Sequence, residues 1–182
     1  MASVVVIYHS GYGHTAKQAE AVAAGAKADL ITIDANGDIT EADWTKLDAT
    51  KAIIFGSPTY MGSVSWQFKK FADASSKRWF TQAWKNKVFA GFTNSASLNG
   101  DKGSTISYLI TLAMQHSGVW VGTGLMPASM KASTRQDVNS LGGYSGALMA
   151  TPADASTDEV NKGDLETARL LGVRVAEFAA KA

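Results

Sequence analysis

Short apolar runs rich in β-branched residues recur along the chain, at Val4–Tyr8 and at residues 30–33, 52–55, 88–92 and 119–121. Each run is continuous rather than alternating, the pattern of a strand covered by helices on both faces. The segments between them carry helical spacing. Ala19, Val22, Ala23 and Ala26 fall on one face of the first. Trp66–Ala74 and residues 105–114 supply longer helices, and a shorter one is predicted over 41–47. The last helix is predicted to begin at Ser156-Thr157-Asp158-Glu159, which has capping-box spacing. It places Leu165, Ala168, Leu171, Val175 and Phe178 on one face, with Gly163 weakening its first turns. Strands alternating with helices imply right-handed crossovers and one α/β domain over residues 1–182, with a five-stranded parallel sheet ordered 2-1-3-4-5. Residues 122–155 lack periodicity and are rich in Gly, Ala and Ser. A loop of that length serves a site or an interface.

In such a sheet, ligands bind at the carboxyl ends of the strands. The first strand runs into His9-Ser10-Gly11-Tyr12-Gly13-His14-Thr15 and then a helix. The two glycines let the backbone wrap an anion, and the helix N-terminus supplies free N–H groups. Ser10 and Thr15 add hydroxyl donors and His14 a ring N–H, which suits a terminal phosphate held without Lys or Arg. The same stretch also satisfies a dinucleotide fingerprint, Gly11-x-Gly13-x-x-Ala16, with Asp34 in the place of a ribose-binding acid. That rival reading is an NAD-dependent dehydrogenase. A pyrophosphate diester has less need of two hydroxyls, and no Tyr-x-x-x-Lys pair is present.

The third strand ends in a loop holding Pro58, Thr59, Tyr60, Met61 and Gly62. Tyr60 and Met61 can lie flat against a planar ring. The fourth strand ends in Asn94, Ser95, Ala96, Ser97 and Asn99, a donor-rich stretch suited to a polyol chain and a polar ring edge. Each loop alone is ordinary turn chemistry. Three at successive strand ends surround one crevice.

Composition narrows the classes. The 182 residues are 46% hydrophobic and 18% charged, with a net charge of +1. That balance fits a globular chain and gives no reason to expect nucleic acid as a partner. Cys is absent, which excludes disulfides, thiolate metal sites and Cys nucleophiles; no metal site is expected. No apolar run is long enough to span a bilayer and the chain enters a strand at once, so a soluble, cytoplasmic protein without integral membrane contacts is expected.

The chain resembles the flavodoxin-like NAD(P)H:quinone oxidoreductases of the WrbA type. The resemblance rests on Ser10 to Thr15, on Phe55-Gly56-Ser57-Pro58-Thr59-Tyr60-Met61-Gly62, on Gln115-His116-Ser117-Gly118, on Trp79, and on Leu141-Gly142-Gly143-Tyr144-Ser145-Gly146-Ala147. Tyr60 stands where the family typically carries Arg, and Ser117 replaces one of two consecutive histidines. The third loop has fewer glycines, and the segment after the second strand is shorter, as in a compact member. The resemblance implies a flavodoxin-like three-layer sandwich with FMN as prosthetic group. It also implies two-electron quinone reduction, with NADH or NADPH delivering hydride to flavin N5 and a quinone then using the same pocket. Ser10 to Thr15, Pro58 to Gly62, Asn94 to Ser97 and Asn99 would hold the cofactor. His116 would stabilise charge on the reduced ring, and Tyr12 and Trp79 would stack on substrate. A homo-oligomer, dimer or tetramer, is implied too. The competing classes are a flavodoxin-type electron carrier and a non-catalytic FMN-binding protein. A carrier docking on basic partners needs an acidic face, and a net charge of +1 argues against one.

Overall fold

The computed structural model describes residues 3–182. Its elements alternate as the sequence pattern requires: β1 (Val4–Tyr8), α1 (His14–Ala26), β2 (Asp29–Thr32), α2 (Glu41–Ala49), β3 (Ala52–Tyr60), β4 (Ser63–Val64), α3 (Trp66–Ala74), α4 (Ser76–Phe80), β5 (Val88–Ser95), α5 (Lys102–Gln115), β6 (Val119–Trp120), β7 (Ala147–Ala150) and α6 (Lys162–Ala179). The sheet runs β2-β1-β3-β5-β6, with parallel pairing along that path. This is the doubly wound order expected.

Alternation along β1 divides the core. Val4, Val6 and Tyr8 face α1 and α6, where Val22, Leu171 and Val175 cover them. Val5 and Ile7 face the opposite layer of Trp44, Phe68, Phe71, Trp84 and Leu109. A central strand buried on both faces must be apolar at every position, which is why these runs do not alternate. Ala19, Val22, Ala23 and Ala26 all lie buried, as their spacing predicts.

Two expectations need correction. Among the described residues the sheet has seven strands rather than five. β4 is a short antiparallel return on β3. The fifth position is shared by two pieces: β6 pairs with Val88 and Phe89, and β7 pairs with Phe92 to Ser95. The intervening residues loop out and return, so residues 122–155 hold a strand that their composition hides. The second correction concerns the last helix. The box at Ser156 and Glu159 closes a 3-10 turn, Thr157–Glu159, and α6 starts at Lys162, capped by Asn161 through the Asp164 amide. Gly163 sits in its first turn because a Cβ there would lie 2.6 Å from the carbonyls of Gln136 and Asp137. Phe178, expected inside, is 39% exposed, and Ala179 takes the buried place.

Helices α1 and α6 meet through glycine. A Cβ at Gly25 would lie 1.9 Å from the Arg169 carbonyl oxygen, and one at Gly172 would lie 2.1 Å from that of Val22. This backbone approach holds α1 against the sheet, and with it the loop that opens the helix.

Candidate functional site

Three strand ends and the segment after β7 converge on a cavity of about 280 Å³. The first wall is the turn from β1 into α1. Gly13, at φ 89°, swings the chain into the helix. Ser10 Oγ accepts the amides of Gly13 at 3.1 Å and Ala16 at 3.2 Å, which leaves its own O–H free to donate. The amides of His14 and Thr15 have no acceptor among the described residues. These are the exposed donors of a helix N-terminus and carry its positive dipole end. Thr15 is buried and lines the cavity beside them.

The His14 ring does not add to these donors as expected. Its Nε2–H is given to the Ala155 carbonyl at 2.8 Å. Thr157 packs over the same loop, its methyl 2.8 Å from where a Gly13 Cβ would stand. The segment after β7 therefore clasps the first loop.

The second wall is Pro58, Thr59 and Tyr60. Thr59 Oγ1 lies 2.8 Å from both Thr93 Oγ1 and Thr105 Oγ1, joining β3, β5 and α5 beneath the cavity floor. Tyr60 reaches back over the first loop, so that a Cβ on Gly11 would lie 2.6 Å from its hydroxyl. Its ring meets Tyr12 edge-on at 6.3 Å and 80°. Burial pushes the Tyr60 phenol above its ordinary value, and the neighbouring Tyr12 adds to this, so it stays neutral. Met61 and Gly62 form the two-residue turn between β3 and β4, both with positive φ. The Met61 side chain is fully exposed and does not line the cavity, contrary to expectation.

The third wall is Asn94, Ser95 and Ala96. Ser97 and Asn99 do not line the cavity; Ser97 faces a neighbouring depression of about 630 Å³ that also holds Arg135 and Lys162. Thr151 and Ala153 complete the enclosure. No feature of their sequence marked them, because they depend on β7 lying beside β5: the Thr151 amide donates to the Ser95 carbonyl at 3.1 Å. Asn94 Oδ1 and Thr151 Oγ1 are buried with no partner among the described residues. Such atoms are costly unless something satisfies them, and both belong to residues of this cavity. Among the described residues no Lys, Arg, Asp or Glu lines it. Converging donors, rather than volume, distinguish this cavity from the larger depression beside it.

Trp79 and His116 are not brought to the cavity. Helix α5 descends from the carboxyl end of β5 to the amino end of β6, so its last turn lies at the opposite edge of the sheet. There His116 and Trp79 line a separate depression with Ser75 and Gln115. Ser75 Oγ donates to the Ala72 carbonyl at 2.7 Å and accepts from His116 Nε2–H at 2.9 Å. The His116 ring packs on Trp84 at 4.5 Å, and its Nδ1 has no partner among the described residues. Burial pulls its pKa down to about 4. The folded protein thus holds the ring neutral, while the unfolded chain takes up a proton near the ordinary 6.5. Stability is complete above that value and falls as pH drops toward 4, by about 2–3 kcal/mol. His9, also buried and lowered by burial, acts in the same direction. Denaturant unfolding from about pH 7 to 4.5 is expected to show this slope, and His116→Gln to flatten it.

Known proteins match this chain over most of its length. A family model described as NADPH-dependent FMN reductase matches residues 9–132. A Pseudomonas aeruginosa protein named flavodoxin FldP is 56% identical over 98% of this chain and 97% of its own. An NAD(P)H dehydrogenase (quinone) from Sinorhizobium fredii is 32% identical over 100% of this chain and 98% of its own. Among solved structures, a flavodoxin, WrbA-like protein from Agrobacterium tumefaciens superposes with a TM-score of 0.84 at 52% identity, covering 100% of this chain and 99% of that one. An archaeal flavodoxin at 21% identity and a TM-score of 0.62 shares the fold.

Proposed function

We propose that this chain, which belongs to the NADPH-dependent FMN reductase family and resembles its WrbA-like members throughout, is an FMN flavoprotein that takes an electron pair from NADH or NADPH and delivers it to a quinone. The observation that carries the reading is one cavity. It combines two free helix-start amides, the hydroxyl of Thr15 and two buried unpartnered oxygens, on Asn94 and Thr151, with no Lys, Arg, Asp or Glu among the described residues that line it, and the Ser10 hydroxyl stands in the adjoining turn.

These residues fit FMN. A phosphomonoester dianion needs many donors, and the His14 and Thr15 amides with the two hydroxyls provide them at the positive end of a 13-residue helix. Asn94 Oδ1, an acceptor only, suits a polyol hydroxyl or a ring N–H. Thr151 Oγ1 can accept or donate. The cavity's neutrality leaves recognition of the dianion to main-chain dipoles. When bound, FMN supplies the two-electron chemistry, accepting hydride from the nicotinamide and passing it on.

The chain's own part is to hold the cofactor and shape its mouth. Tyr12 is 76% exposed and stands at the rim against Tyr60. It offers a flat apolar face on which nicotinamide and quinone stack in turn. One mouth serves both substrates, which gives alternating rather than simultaneous occupancy. The reading includes a cytoplasmic homo-oligomer, dimer or tetramer, in which the exposed Trp79 of one copy reaches the mouth of another. Among the described residues no helix is long and apolar enough to cross a membrane.

A flavodoxin-type electron carrier is the second reading, favoured by the names of the Pseudomonas and Agrobacterium relatives. Anaerobic addition of NADPH or NADH to the flavin-loaded protein separates the two. The reductase bleaches the flavin absorbance, and benzoquinone restores it. A flavin that binds and stays oxidised with both nucleotides assigns the carrier role instead.

A further inference from the structure

Lys102 opens α5 and is 1% exposed. An ammonium at a helix N-terminus opposes the dipole, and burial adds a desolvation cost. No carboxylate lies within ion-pair distance of it among the described residues. Three carbonyl oxygens of the loop after β5 surround its Nζ instead: Ser97 at 2.6 Å, Leu98 at 3.1 Å and Asn99 at 3.4 Å. Ser95 Oγ also donates to the Ser97 carbonyl.

This arrangement fixes the other side of the same peptides. In a planar trans peptide the N–H points opposite to the C=O. Carbonyls gathered on Lys102 therefore direct the amides of Leu98, Asn99 and Gly100 away from it. None of these amides has an acceptor among the described residues. The loop continues directly from Asn94, Ser95 and Ala96, which line the cavity.

We propose that Lys102 is a positioning residue for the flavin site: its ammonium gathers the loop carbonyls and so fixes the loop that continues from the cavity wall at Asn94, Ser95 and Ala96. The inference rests on the FMN reading above. It predicts that cofactor affinity depends on the charge of a side chain that does not line the cavity. Burial pulls the Lys102 pKa down to about 8, with Asp164 raising it and Arg135 lowering it. Those two groups are themselves paired at 2.6 Å, and Asp101 is the adjacent residue in the chain. Loss of the proton leaves two N–H donors for three carbonyls, sets a lone pair against the third, and loosens the loop.

The test is the FMN dissociation constant, read by flavin fluorescence quenching from about pH 7 to 9.5, for wild type, Lys102→Met and Lys102→Arg. The wild-type constant is expected to rise about tenfold over that range. Lys102→Met is expected to bind about tenfold more weakly at pH 7 and to show no further pH dependence. Lys102→Arg, which keeps its charge, should lose the alkaline weakening. A merely structural lysine would lower the melting temperature of the variants without moving the pH profile. A wild-type affinity that stays flat, or a Lys102→Met protein with the wild-type profile, overturns the proposal. Absence of flavin uptake by the wild type at pH 7 overturns both this proposal and the reading beneath it.

Discussion

Replacing Gly13 by Asp is expected to weaken FMN binding about a hundredfold, measured by flavin fluorescence at neutral pH. Gly13 adopts φ 89°, a conformation that costs a residue with a Cβ about 1–2 kcal/mol. Its new Cβ would stand 2.8 Å from the Thr157 methyl, so the clasp through His14 and Ala155 must shift as well. The carboxylate then adds a negative charge beside the free amides of His14 and Thr15. Gly13→Asn separates these effects. Asn has nearly the same size and the same tolerance of positive φ, so it carries the strain without the charge. It should lose about tenfold, with the remainder specific to Asp. Equal affinities for the Asn and Asp variants would refute a dianion at this turn.

Gly172→Ala is expected to destabilise the protein by about 2 kcal/mol or more, lowering the melting temperature by about 4–8 °C. Helix propensity alone predicts the opposite, a gain of about 1 kcal/mol for Gly to Ala in a helix interior. Packing reverses the sign. The added methyl would lie 2.1 Å from the Val22 carbonyl oxygen, a backbone atom that moves only if α1 and α6 separate. Gly103→Ala makes the same chemical change in α5, where a Cβ meets nothing within 4 Å. It should be neutral or raise stability by up to about 1 kcal/mol. Calorimetry on the pair decides whether the seam or the propensity dominates, and a stabilised Gly172→Ala protein would contradict the seam.

The parts of this fold legible in the sequence are those governed by local pattern. β1, α1 and α3 follow directly from their apolar spacing. What escaped depends on distant partners. The Ala147–Ala150 strand contains no β-branched residue and is a strand only because β5 lies beside it. The box at Ser156 has the right spacing for a helix start but closes a single turn, since Val160 follows in extended conformation and Asn161 starts α6. In the site, the first loop was readable because its donors are consecutive. Thr151 was not, because it arrives from the far side of the split strand. His14 was read as a donor to the ligand, yet its ring faces Ala155, which no local rule indicates. His116 and Trp79 were assigned by resemblance. The topology places them at the other end of the strands, as a residue ending a descending helix must be.

The division of the fifth strand also bears on solubility. A long, flat sheet margin is a template on which another chain can add, the first step toward fibrils. Here one margin is the four-residue β2, and the other is broken into pieces of two and four residues with a bulky excursion between them. Neither side offers a long row of unpaired amides and carbonyls, so a sheet with strongly apolar inner strands limits edge-to-edge addition by the shortness of its margins.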